Sequence, residues 1–339
     1  MVDRKKQIIK FIARLLVGTL LLIWIFSRVD LSQFGDTIKA TRWPYLVGIW
    51  ASAVLFFWVQ ALAMQRVLRK QDCAVSLGGL FGATCATSLY SLVLPGVLSA
   101  GVKWYILKQH TGKGSHVLSS MLYNQVMLSA VMATIGLVGL IVTNPTRILL
   151  PNATRPWLLP VVCAVVLGLL LGVLVLLLNG RTGAAMSRCL AIPLRVLPRS
   201  LRERGEVVLT QLTVFQTAGW RFHLTIAGIN LIDGFLVGLL MYLSAAKAAN
   251  VTVGLGVLVW LCAIVYVLGK LPISVANLGV REVTMVGFLG AYGVAEPAAL
   301  LMSMAMFSAV LFMAALGALH QLVWAVRPTA ESSPPTKGM

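Results

Sequence analysis

The chain has 339 residues, 59% of them hydrophobic and only 11% charged. No polar stretch is long enough for a separate soluble domain of ordinary size, and several apolar runs reach the ~20 residues that cross a bilayer, so the composition excludes a water-soluble globular protein and describes an all-α polytopic membrane protein. The net charge of +18 raises nucleic acid as a partner, but the basic residues sit in short loops between apolar segments, which points instead to the positive-inside pattern and to anionic lipid heads.

Taken in order, residues 1–10 are basic (Arg4, Lys5, Lys6, Lys10) and precede an apolar segment from about Phe11 to Phe26. No small-residue cleavage site follows it, so it reads as a first membrane helix and not as a signal peptide. A second span is expected over 43–64, with Trp43 and Tyr45 as interface anchors. Residues 75–113 are apolar but crowded with Gly, Ser and Pro95; they read as a hairpin of short helices. Further spans are expected over 115–142, 157–178, 221–246 and 297–326. The six arginines between Arg181 and Arg204 mark a cytoplasmic loop, residues 206–220 an interfacial helix, and residues 327–339 a disordered tail.

Residues 253–293 form a second interrupted segment. At its centre stands Leu271-Pro272-Ile273-Ser274-Val275-Ala276-Asn277-Leu278-Gly279-Val280-Arg281-Glu282, a composition no membrane helix uses for stability. Leu94-Pro95 followed by Gly101-Val102-Lys103 parallels Leu271-Pro272 followed by Gly279-Val280-Arg281. Interrupted segments at matching positions of two halves point to a transporter's binding site. The expected fold is therefore six full transmembrane helices plus two re-entrant or broken hairpins in an inverted repeat. It forms one transmembrane domain, 1–326, with repeat halves at about 43–142 and 221–326 and hairpin breaks at Pro95, Gly101, Pro272 and Gly279.

Sidedness follows from counting Lys and Arg: 19 fall on the side of the N-terminus, six on the other, and Lys103, Lys270 and Arg281 within the membrane. The positive-inside rule then puts both termini in the cytoplasm of a multi-pass inner-membrane protein.

Arg281 and Lys103 offer positive charge for an anionic head group, Arg as a planar fork and Lys as a point charge. The structural alternative is that they snorkel or pair with Glu282 and Asp233. Asp233 either neutralises a cation or relays protons. Asn277 and Ser274 satisfy broken backbone, and Tyr123 and Asn124 either line the cavity or hydrogen-bond between helices. The five cysteines include no CxxC, and the four histidines have no metal-ligand spacing, so no metal or other cofactor is expected. The absence of a catalytic set disfavours an enzyme.

With Leu271-Pro272-Ile273-Ser274 and Gly279-Val280-Arg281-Glu282, and with Val29-Asp30-Leu31 after the first span, the sequence resembles the flippase-like membrane family related to the transmembrane region of lysylphosphatidylglycerol synthases. The resemblance covers roughly residues 10–325. It implies movement of a lipid between leaflets. Some members carry a fused aminoacyl- or glycosyltransferase domain, and neither fusion is expected here. Members often have an acidic residue near the position of Gly101 and Gly at that of Asn277. The expected function is translocation of a polar, anionic phospholipid or related lipid. The alternatives are an intramembrane lipid-modifying transferase or its membrane subunit, and a non-transporting envelope scaffold. Membrane lipids are the expected partners, with a homo-oligomer and a separately encoded lipid-modifying enzyme left open, and no nucleic acid.

Overall fold

The computed structural model describes residues 39, 41–92, 94, 96–149, 154–180, 182–183, 210–211, 213–270 and 279–326. Among them every regular element is helical, as hydrocarbon requires of a chain whose peptide groups must bond to one another. The helices are α1 Pro44–Arg69, α2 Leu77–Ser91, α3 Gly96–Thr111, α4 Gly114–Thr143, the single turn α5 Thr146–Leu149, α6 Leu158–Leu178, α7 Trp220–Leu231, α8 Gly238–Ala248, α9 Leu255–Leu268, α10 Val280–Ala291 and α11 Glu296–Val326. A π-helical turn, Ile232–Val237, joins α7 to α8.

Five of these are long and apolar enough to cross a bilayer: α1, α4, α6, the continuous run Trp220–Ala248, and α11. They fall where the hydropathy places them. The expected span at 11–26, nearly all of the arginine-rich loop and the tail lie outside the described residues, as do Pro95, Pro272, Ser274 and Asn277.

Between the long helices lie two pairs of short ones, α2 and α3 with 15 and 16 residues, and α9 and α10 with 14 and 12. At ~1.5 Å per residue each is about 18–24 Å long, short of the ~30 Å hydrocarbon core. Ser76 starts α2, its Oγ accepting from the Gly79 N–H at 3.2 Å, an ordinary N-cap. Gly279 starts α10 with φ +82°, a conformation that only glycine adopts without strain. Gly101 corrects the expectation that it breaks the first pair: α3 runs through it. A lone helical Gly costs only about 1 kcal/mol relative to Ala, too little to end a helix.

The packing is reciprocal. α4 lies along α9, α11 lies along α2, and α1 lies along α8. Small residues let the first two contacts close, as expected where lipid supplies no hydrophobic drive. A methyl on Gly136 would meet Ala263 Cβ at 2.7 Å, and one on Gly139 would meet Trp260 Cβ at 3.1 Å. At the other contact, a methyl on Gly317 would strike the Cys85 carbonyl and one on Gly82 the His320 ring. The largest apolar core gathers Ile49, Trp260, Met285, Leu289 and Met302, and a second gathers Met64, Leu80 and Leu107. α6 stands at the periphery: Cys163 is its one buried residue, while Val161, Val165 and Leu169 are exposed. α11 is the most enclosed of the long helices.

Candidate functional site

The π-helical turn puts one extra residue into the helix between Ile232 and Val237, a distortion that often marks functional sites. It carries Asp233, which is fully buried. No described residue donates a hydrogen bond of normal geometry to either carboxylate oxygen, although Gln60 of α1 stands beside it. Gly234 follows, packed so closely on α4 that a methyl there would strike the Met132 sulfur.

Beside this turn is a cavity of about 270 Å³, walled by Gly234 and Gly238, by Tyr242 of α8, by Cys262, Tyr266 and Lys270 at the end of α9, and by Leu128 and Met132 of α4. Lys270 is exposed, and its Nζ lies 4.7 Å from the centre of the Tyr266 ring, a cation–π contact. The Tyr266 hydroxyl accepts from Gln125 Nε2 at 2.9 Å and lies 3.4 Å from Ser129 Oγ. Half-buried Lys103 of α3 is within electrostatic reach of both Lys270 and Asp233, and Tyr266 feels Asp233 in turn. A cation from the second short pair thus lines the cavity, and a cation from the first and the buried Asp233 side chain lie within electrostatic reach.

Arg281 and Glu282 form a separate cluster at the start of α10. Arg281 Nε donates to Ser303 Oγ at 2.8 Å and to Glu282 Oε1 at 3.1 Å, and Nη2 also pairs with Glu282 Oε1. Ser303 Oγ donates to the same oxygen at 3.0 Å. Glu282 Oε2 accepts the Gly279 N–H at 2.7 Å, so the carboxylate caps the helix while neutralising the arginine. The guanidinium lies 5.3 Å from the Phe307 ring centre. Arg281, Glu282 and Ser303 are all buried. Arg281 lies within electrostatic reach of Tyr242, one of the residues lining the cavity.

A third polar group lies where α4 meets α7. The Tyr123 hydroxyl and His223 Nδ1 are 2.7 Å apart, and Tyr123 stacks on Phe215 at 4.3 Å between ring centroids. His223 Nε2 lies near the Phe215 carbonyl but outside hydrogen-bond geometry. Asn230 is fully buried, and neither its amide nitrogen nor its oxygen has a partner among the described residues; the same holds for Asn124 Oδ1.

Of the residues singled out by sequence, the structure pairs Arg281 with Glu282 and Tyr123 with His223 of α7, and puts Lys103 within electrostatic reach of Asp233 without an ion pair between them. Asn277 lies outside the described residues. Lys270, Tyr266, Gln60, His223 and Ser303 were not singled out for the site. Lys270 carried a signal, being an ionisable residue just before Leu271-Pro272; Ser303 carried none. Among the described residues no group of His, Cys, Asp and Glu is placed to hold a metal ion.

Residues 11–317 match the family model described as the lysylphosphatidylglycerol synthase TM region. No curated protein matches the chain, and no solved structure matches it.

Proposed function

The chain belongs to the family of the lysylphosphatidylglycerol synthase transmembrane region, and from that premise we propose that it is a lipid translocase, moving a polar, anionic lipid between the leaflets of the cell membrane. The observation that carries this reading is a cavity walled by Lys270 and Tyr266 beside a π-helical turn, with Asp233 buried in that turn and Lys103 within electrostatic reach. Charged groups inside a membrane bundle are costly and mark substrate paths. The cavity is smaller than the ~300–1,000 Å³ of drug-sized pockets, a size suited to a head group whose acyl chains stay in lipid.

The reciprocal contacts of α4 with α9 and of α11 with α2 support an inverted repeat, in which each short pair enters and returns on its own side. Rocking of one half against the other would then open the cavity to one leaflet at a time. In this reading Arg281 and Glu282 frame the second pair, and the excess of Lys and Arg puts the termini in the cytoplasm. Membrane-impermeant thiol labelling from outside should miss a cysteine placed at Arg199 and reach one placed at Asn152; the reverse pattern would discard this sidedness.

The test of function is reconstitution into phosphatidylcholine vesicles holding a trace of fluorescent phosphatidylglycerol, with a quencher added outside. The wild-type chain should expose the inner-leaflet label, and Lys270→Ala should slow that exposure about tenfold, equivalent to about 1.4 kcal/mol on the barrier, with an unchanged gel-filtration profile. A wild-type rate equal to that of empty vesicles would sink the reading.

A further inference from the structure

Resting on that reading, we propose that lipid movement is coupled to protons, which reach Asp233 along a water-bearing row of polar side chains between α4 and α7. Ser120, Tyr123, Asn124 and Met127 recur at helical spacing and share one face of α4. His223, Ile226 and Asn230 do the same on α7, with Asp233 one turn further. The two faces meet. The Tyr123 hydroxyl lies 2.7 Å from His223 Nδ1, and Tyr123, Met127 and Ile226 pack with Val67 of α1 in one apolar cluster. Further along, a methyl on Gly234 would strike the Met132 sulfur, so the helices run side by side in the same direction. Trp220 and Arg221, at the start of α7, are exposed. From His223 to Asp233 the helix advances about 15 Å, half of the ~30 Å hydrocarbon core. The row thus leads from one end of the helix to the middle of the membrane.

It is polar without being paired. Ser120 Oγ, Asn124 Oδ1, His223 Nε2, both amide atoms of Asn230 and both oxygens of Asp233 are buried with no hydrogen-bond partner of normal geometry among the described residues. Ser120, Asn230 and Asp233 are fully buried. Side chains that only held the helices together would bond to one another, as Tyr123 and His223 do. Left dry, each unpaired atom is costly, and buried water is what satisfies such a row, each molecule taking about three polar partners. Each group of the row accepts one proton and passes on another. The net change is one proton gained at an Asp233 carboxylate oxygen. Chains of His and Asp inside membrane bundles mark relays of this kind. Lys103 of α3 and Tyr266 of α9 bear on Asp233 electrostatically, α1 turns uncharged Gln60 to it, and Tyr242 of α8 and Lys270 line the adjacent cavity. Tyr123 is the titratable group bonded to His223. An anionic lipid that crosses with one proton carries no net charge through hydrocarbon, where charge is costly.

The experiment reconstitutes the full chain in phosphatidylcholine vesicles with trace fluorescent phosphatidylglycerol and an interior about one pH unit more alkaline than the buffer. The label open to an external quencher is read at steady state against protein-free vesicles. One proton per lipid should hold the label about tenfold richer in the inner leaflet. An even distribution under the gradient would overturn the coupling and leave the translocase standing; no movement of label would overturn both. Asn230→Leu should abolish the asymmetry with an unchanged or raised Tm, since it removes two unpaired polar atoms, and Asn230→Ser should keep the asymmetry. Asymmetry retained in Asn230→Leu, or a lowered Tm, would remove Asn230 from the path and overturn it. Should Asn230→Leu fail to fold, pulsed X-ray hydroxyl-radical labelling of the wild-type chain reads the water directly. Met127, beside the row, should be oxidised while the comparably buried Met285 of the apolar core is spared; no difference between them overturns the path.

Discussion

Gly101-Val102-Lys103 lies inside α3, whereas Gly279-Val280-Arg281 begins α10, and the two cations have opposite fates. Lys103 is followed by Trp104, whose indole N–H donates to the Gly114 carbonyl at 2.8 Å. The next side chain ties the helix to its own turn and leaves the lysine within electrostatic reach of Lys270 and Asp233. Arg281 is followed by Glu282, which neutralises it on the spot and caps the helix with its second oxygen. One short pair keeps its charge for the centre of the bundle. The other encloses a charge in its own start, and supplies the centre from the far side of its break through Lys270.

The comparison is sharpest under truncation. Glu282→Ala should have the largest effect, because it leaves Arg281 buried without its partner and Gly279 without its cap; a loss of about 3–5 kcal/mol is expected. Thermal unfolding in detergent should show it as a collapse of yield or a large drop in Tm, and a wild-type melting profile would remove the distinction between the pairs. Gly317→Ala comes next, since the methyl meets the Cys85 backbone carbonyl and overpacking of this kind costs roughly 1–3 kcal/mol; an unchanged Tm would mean that α2 and α11 have room to part. Lys270→Ala should change stability by less than about 1 kcal/mol, as for other exposed charges, while transport falls. A parallel loss of both would make Lys270 a structural residue. Gly101→Ala should have the smallest effect, a gain of about 0.4–1 kcal/mol, because nothing lies near the added methyl. Gly279→Ala should be clearly destabilising at φ +82°, so the same substitution at the two matched glycines should carry opposite signs.

Much of the fold was legible because hydrocarbon leaves the backbone few options. A run such as Leu158–Leu178 can only be a spanning helix, and a Pro within an apolar run removes a backbone donor that a continuous helix would use. The ionisable residues of the site were legible for the same reason: Lys103, Asp233 and Arg281 stand out against an apolar background. Their pairing was less so. Matching Lys103 to Arg281 follows from the repeated string, but the string gives position along the chain and not the direction of a side chain. The π-helical turn at Ile232–Val237 has no signature in its residues, yet it shifts the register of every side chain that follows and helps place Asp233.

By itself the sequence determined the class of protein, the five spans among the described residues and the charges within apolar segments, because each follows from the local cost of putting a residue into a membrane. Only the tertiary structure decided which charges meet. Lys103, Asp233 and Lys270 come from three distant parts of the chain, and they come within electrostatic reach of one another because the close contacts of α4 with α9 and of α11 with α2 fix how the helices are rotated against one another. Charge interaction falls off with distance and dielectric, so that rotation separates a site from a set of scattered ions.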